Sequence, residues 1–282
     1  MSSVFATASR LENENHAFAL LHIIESRGST PRHSASMLVG EQGERVGTIG
    51  GGMMERMAIE RALLAIAEER SQIFYGRLAR QGQDAVGADC GGRMSIYIAV
   101  YPRRLSLFLL GGGHVNRALA QAALPLGLRV TIADTWPQNL AHPDLPAACQ
   151  RVTGERFSDL IAELPLDENS YVIIATNHQD REALDAMIRR PVGYLGLLAS
   201  RRKAHYFREL LKKEQDISED ELARLRSPVG LNIAAETPEE IAISILGEIV
   251  QHYRQRDRQP ENNGLTDGDV PARHAAQATT AE

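Results

Sequence analysis

Apolar positions recur along this chain in two rhythms. In the second half, short unbroken apolar runs alternate with segments whose apolar residues fall at helical spacing. Leu105–Leu110 leads into Gly111-Gly112-Gly113, after which Val115, Leu119, Ala122 and Ala123 repeat as one face of a helix that Gly127 closes. Leu128–Ala133 is the next run and ends in Asp134. This pattern predicts a strand, a glycine turn, a helix and a parallel strand. Gln150–Val152, Tyr171–Thr176 and Val192–Ala199 predict further strands. Phe157–Glu163, Asp180–Arg190, Ser200 to about Lys213, and Glu219–Arg226 predict helices between and after them. Thr237-Pro238-Glu239-Glu240 supplies an N-cap, a first-turn proline and a capping-box glutamate for a helix over Ile241–Arg256, striped by Ile241, Ala242, Ile245, Ile249 and Tyr253.

The first half reads differently. Val4–Asn15 predicts a short helix and Ala17–Glu25 a buried strand. Ala35–Val39 and Arg45–Ile49 flank the turn Gly40–Glu44 as a hairpin. A helix from Met53 carries Met54, Met57, Ala58, Leu63, Leu64 and Ile66 on its apolar face. Gln72–Leu78 and Met94–Val100 predict strands around a glycine-dense loop, Ala79–Arg93, and Pro102-Arg103-Arg104 breaks the pattern. The fold class is therefore α/β, with an N-terminal α+β domain over residues 1–102 followed by a Rossmann-like parallel-sheet domain over 103–258. Residues 259–282 turn polar and are expected to be a disordered tail.

Composition narrows the field of functions. The 282 residues are 43% hydrophobic and 24% charged, as in an average globular protein. A net charge of −5 argues against general nucleic-acid binding. Cys90 and Cys149 lie far apart and form neither a disulfide framework nor a CxxC metal pair, which fits a reducing cytoplasm. No apolar run reaches the length of a membrane span, and the first residues lack the apolar core of a signal peptide.

Two glycine triplets are candidate anion cradles, because glycine lets backbone N–H groups approach a phosphate at a helix N-terminus. One is Thr48-Ile49-Gly50-Gly51-Gly52. The other is Gly111–Gly113 with His114 in the first helical turn. In the second, Asp134 ends the next strand, where a ribose hydroxyl could be bound, while Asn116 stands where a dinucleotide fingerprint has its third glycine. A nucleotide site and a turn that merely needs its glycines both remain open. Cys90-Gly91-Gly92-Arg93 offers a thiol as a soft ligand or nucleophile, or as a buried small residue. The segments ending the parallel strands, including Thr176–His178 and Ser200-Arg201-Arg202-Lys203, converge on one crevice. No Ser–His–Asp order, HExxH, P-loop lysine or paired carboxylate stands out. Binding elements are clearer than catalytic ones, and the chain reads more as a carrier than as an enzyme.

Taken together, Gly28–Arg32, Gly47–Gly52 with Glu55, Cys90–Gly92, Gly111–Leu119, Gly196–Lys203 and Pro228–Ala242 resemble the XdhC family, accessory proteins that mature xanthine dehydrogenase. The resemblance implies an XdhC/CoxI-type N-terminal domain and a Rossmann-like C-terminal domain. It implies binding and protection of molybdenum cofactor, its sulfuration with a cysteine desulfurase, delivery to apo-xanthine dehydrogenase, and a homodimer. Many members carry a cysteine after the first glycine triplet. This chain has Met53 there, which leaves Cys90 as the thiol for contact with molybdenum. The cofactor site then draws on Thr48, Gly50–Gly52, Cys90–Arg93, Gly111, Gly113, His114, Asp134, Ser200 and Arg201. An NAD(P)-dependent oxidoreductase is the competing expectation, motivated by Gly111–Asp134 alone.

Overall fold

The structure, a computed structural model, describes residues 3–27, 34–77, 93–215 and 217–256. The chain divides into two compact units, Met1–Leu105 and Ser106–Glu282.

In the first unit, helix α1 (Val4–Glu14) starts at Ser3, whose Oγ accepts from Ala6 N at 3.1 Å, and stops where Asn15 turns left-handed. Strands β1 (Phe18–Arg27), β2 (Ser36–Gly40), β3 (Arg45–Gly47), β4 (Gln72–Arg77) and β5 (Arg93–Tyr101) form an antiparallel sheet in the order β3-β2-β1-β5-β4. Helix α2 (Gly52–Ala67) covers one face. Because side chains alternate along a strand, Ala19 and Leu21 of β1 meet Met54, Ala58 and Ala62 of α2, whereas Phe18 and Leu20 turn to Leu11 of α1. Two expectations change here. The buried stripe of α2 runs Met54, Ala58, Ala62, Ala65, so Leu64 points away and is 52% exposed. Arg93 is not in a loop: it is the first residue of β5, in register with Arg27 and Arg77.

The second unit alternates strand and helix: β6 (Ser106–Leu110), α3 (His114–Ala123), β7 (Arg129–Asp134), α4 (Pro137–Leu140), β8 (Gln150–Thr153), α5 (Phe157–Glu163), β9 (Ser170–Ile174), α6 (Asp180–Met187), β10 (Tyr194–Leu197), α7 (Arg201–Gln215), α8 (Glu219–Ala223), β11 (Leu225–Arg226) and α9 (Pro238–Arg256). The six strands lie in the order β11-β10-β9-β6-β7-β8, and every neighbouring pair is parallel. Strands buried on both faces read as unbroken apolar runs, which is why β6 and β9 are visible as such in the sequence. The pattern over Glu219–Arg226 predicts one helix. The structure ends it at Ala223, and Leu225–Arg226 pairs with β10 as the edge strand. Helix α4 has no counterpart in the sequence prediction.

The fold class is thus an α+β unit followed by a Rossmann-like parallel sheet. Strand order reverses between β6 and β9, and the crevice beyond the carboxyl ends at such a reversal is where ligands of these sheets bind.

Candidate functional site

The turn between β6 and α3 lies at that reversal. Gly111 has φ +100°, and a Cβ on it would lie 2.4 Å from the Ala175 carbonyl oxygen, so glycine is required for the chain to pass β9. Gly112 gives close passage to α4, since a Cβ there would meet Asn139 Cβ at 2.8 Å. Gly113 is different. Its φ is −71°, which any residue adopts, and a Cβ would meet nothing within 4 Å. Nothing inside the unit explains the third glycine, whereas a ligand approaching its backbone would.

The carbonyls of the turn face inward and are satisfied there. Asn116, fully buried, donates Nδ2 to Leu110 O at 3.0 Å and to Gly111 O at 2.7 Å. It thereby anchors α3 to β6 by hydrogen bonds where a glycine would do so by close packing. Its own Oδ1 has no partner among the described residues. Arg117, 6% exposed, donates Nη1 to Gly112 O at 2.7 Å and meets no carboxylate among the described residues. The N–H groups of the turn are only partly used. Gly111 N bonds Ala133 O, but among the described residues those of Gly113, His114 and Val115 have no acceptor. A helix N-terminus with unused donors, near a buried cation that forms no ion pair among the described residues, is suited to an anion. The notable residue that sequence reasoning missed is Arg117; a basic residue in the fourth position of the helix after a glycine turn was the available signal.

Asp134 is committed within the chain. Its Oδ2 accepts from Gly112 N at 2.5 Å and from Asn139 Nδ2 at 2.8 Å, and its Oδ1 accepts from Trp136 N at 2.8 Å. Buried and hydrogen-bonded this way, it fixes the glycine turn against α4. Thr135, next in the chain, donates Oγ1 to Gln179 Oε1 at 2.9 Å, so the two loops flanking β6 are tied together.

At the ends of β9 and β10, Asp180 is 3% exposed; it accepts from Thr176 N and Oγ1 and pairs with Lys203 Nζ at 2.5 Å. The basic run at the start of α7 therefore has an internal counter-charge at Lys203. Ser200 and Arg201 are exposed at that helix start, and His114 is exposed on α3. His178 lines a separate open groove of about 510 Å³ with Arg156, Gln179 and Glu182.

The glycine turn of the first unit is already filled. Glu55 Oε2 accepts from Thr48 Oγ1 at 2.5 Å, Ile49 N at 3.0 Å and Gly51 N at 2.9 Å, while Gly50 N donates to Thr48 Oγ1. Gly50, Gly51 and Gly52 all have positive φ, so this backbone needs its glycines to wrap a carboxylate. Partial burial pushes the Glu55 carboxyl up, but the hydrogen bonds from Thr48, Gly51 and Ile49 outweigh it and hold it below the ordinary carboxylate value. The donors of Thr48, Ile49, Gly50 and Gly51 are thus taken within the chain. Cys90, Gly91 and Gly92, like Gly28–Arg32 and the tail 259–282, lie outside the described residues. Arg93 is exposed at the start of β5. Cys149 is buried, and burial raises its thiol pKa. Among the described residues no group of three or more His, Cys, Asp or Glu could hold a metal, and no helix is long and apolar enough to cross a membrane.

Comparison with known proteins agrees with this architecture. The XdhC Rossmann domain model matches residues 107–249, and the XdhC and CoxI family model matches residues 11–76. The chain is 50% identical over 249 residues to the uncharacterized protein YqeB of Escherichia coli (strain K12), which is 88% of this chain and 46% of that protein. It is 32% identical over 148 residues to a probable xanthine dehydrogenase component of Bacillus subtilis (strain 168), 51% of this chain and 42% of that one. The chain thus spans less than half the length of each of these curated relatives. In fold it is similar to a crystal structure of a xanthine dehydrogenase from Bacillus halodurans, with a TM-score of 0.51 at 20% identity, covering 93% of this chain and 98% of that chain. With its Rossmann unit matched over residues 107–249 and the start of the other unit matched besides, the chain belongs to the XdhC family.

Proposed function

We propose that this chain is an accessory protein of xanthine dehydrogenase maturation that carries molybdenum cofactor by its phosphate end. The observation that carries the reading is the β6–α3 turn, where Gly113 has open space above it and the buried Arg117 pairs with no carboxylate among the described residues. Molybdenum cofactor is an anionic pterin ending in a phosphate, and the residues present fit that phosphate. The N–H groups of Gly113, His114 and Val115 would bind its oxygens, and Arg117 would offset its charge. When bound, the cofactor supplies a redox-active molybdenum centre to the recipient enzyme. The chain's own part is to hold, shield and release it. Sulfuration with a cysteine desulfurase and delivery to apo-xanthine dehydrogenase complete the proposed role.

An NAD(P)-dependent oxidoreductase is less well supported. The carboxylate that would take the ribose hydroxyl is spent on Gly112, Trp136 and Asn139, and the Thr135–Gln179 bond joins the loops on either side of β6. The test is anaerobic loading of the full chain with molybdenum cofactor, followed by mixing with apo-xanthine dehydrogenase. Retention of cofactor on the chain and recovery of dehydrogenase activity are expected. Failure to retain cofactor while NAD(H) binds at micromolar concentration would overturn the proposal.

A further inference from the structure

Trp136 is the single tryptophan of the chain, and it is 64% exposed. It stands two residues past β7, at the carboxyl end of the sheet and one strand away from the glycine turn. Its indole makes no ring contact or hydrogen bond among the described residues, whereas its backbone is pinned. The buried Asp134 carboxylate takes Trp136 N–H on one oxygen and Gly112 N–H on the other. Asn139 adds a second tie, donating to the same carboxylate while its Cβ sits where a Gly112 Cβ would clash. The backbones of Trp136 and of the glycine turn are therefore tied to one carboxylate. A large ring left in water, just past the strand next to the glycine turn and tied through its backbone to the same carboxylate, offers a stacking face at this end of the sheet.

We propose that Trp136 is the ring-binding platform of this crevice, and that Asp134 positions it. The ligand class is a planar heterocycle bearing a phosphate, with the phosphate on Gly113–Val115 and the ring against the indole. This rests on the phosphate reading of the β6–α3 turn and adds to it the part of the ligand that is recognised at the other end. The same chemistry is offered by a pterin phosphate and by a nucleotide, and the two are separated by titration.

The experiment uses the full chain and its single tryptophan as reporter. A pterin monophosphate, the unphosphorylated pterin, ADP and inorganic phosphate are titrated in turn. Binding is followed by calorimetry, and tryptophan emission is read in parallel, with free tryptophan as the control for absorption by the probe. The pterin monophosphate is expected to quench Trp136 saturably and to bind more tightly than inorganic phosphate. Trp136→Ala, at an exposed position, is expected to keep the fold and to weaken pterin monophosphate about tenfold while leaving inorganic phosphate unchanged. If ADP shows the same dependence on Trp136, the platform stands and its ligand is a nucleotide. If phosphate-bearing probes bind wild type and Trp136→Ala equally, the platform is overturned and the phosphate site stands. If no phosphate-bearing probe binds wild type, the phosphate reading itself fails.

Discussion

Two glycine turns feed helices in this chain, and the fourth residue of each helix carries the opposite charge. In α2 the N-cap is Gly51 and the fourth helical residue is Glu55; in α3 the N-cap is Gly113 and the fourth helical residue is Arg117. Side chains on a helix lean back toward its N-terminus, so both reach the turn that precedes them. Glu55 brings a carboxylate and takes N–H groups of its own turn. Arg117 brings a cation and bonds a carbonyl, and the N–H groups of Gly113, His114 and Val115 have no acceptor among the described residues. The same local signature thus builds a turn capped by its own helix in one unit and, in the other, a turn whose last N–H groups have no acceptor among the described residues.

The comparison is broken most severely by removing what holds the open turn in shape. Asp134→Ala strands the N–H groups of Gly112 and Trp136 and the Asn139 amide. A loss of about 3 kcal/mol is expected, because buried donors are left without partners. It should appear as a lower urea midpoint at unchanged slope. A smaller structural but larger functional effect is expected from Arg117→Glu, which gives α3 the residue that closes α2. Acidic residues favour a helix N-terminus, so the variant should keep its circular dichroism. Affinity for a phosphate-bearing ligand should fall about a hundredfold, since a charge-assisted partner becomes a competitor. The converse test is Glu55→Gln. Hydrogen bonds hold the Glu55 carboxyl below its ordinary value, so its charged form stabilises the fold above the unfolded-state value of about 4.3. That contribution is lost as pH falls through the lowered folded-state value. At pH 7 the variant should be less stable by about 1–2 kcal/mol, and the gap between the two proteins should close in acid.

Much of the architecture was legible in the residues. Strands such as β6 and β9 are buried on both faces and announce themselves as apolar runs, and the α9 start at Thr237–Glu240 forms its capping box, with Glu240 accepting from Thr237 N and donating its own N–H to Thr237 Oγ1. What stayed hidden was set by long-range pairing. The two-residue β11 exists because Leu225 fills the core beside Leu195, and no local pattern marks so short an edge. The site was legible in position and less so in role. Gly111, Gly113 and Asp134 were visible as a Rossmann turn, but that Asp134 faces inward depends on α4 and Asn139, which no local pattern marks. The glycines of Thr48–Gly52 were visible as a cradle, and Glu55 stood beside them. That the cradle holds this carboxylate becomes clear only when the helical reach of the fourth position is considered.

The central claim is that the α3 turn binds phosphate and the α2 turn does not. Gly113→Ala adds a methyl group into open space at φ −71°, so it blocks the socket without straining the fold. Glu55→Gln leaves α3 untouched. Calorimetric titration of a pterin monophosphate into these two variants side by side is the most direct test. The account predicts that Gly113→Ala loses binding while Glu55→Gln binds as wild type does; binding that survives in Gly113→Ala and fails in Glu55→Gln would contradict it.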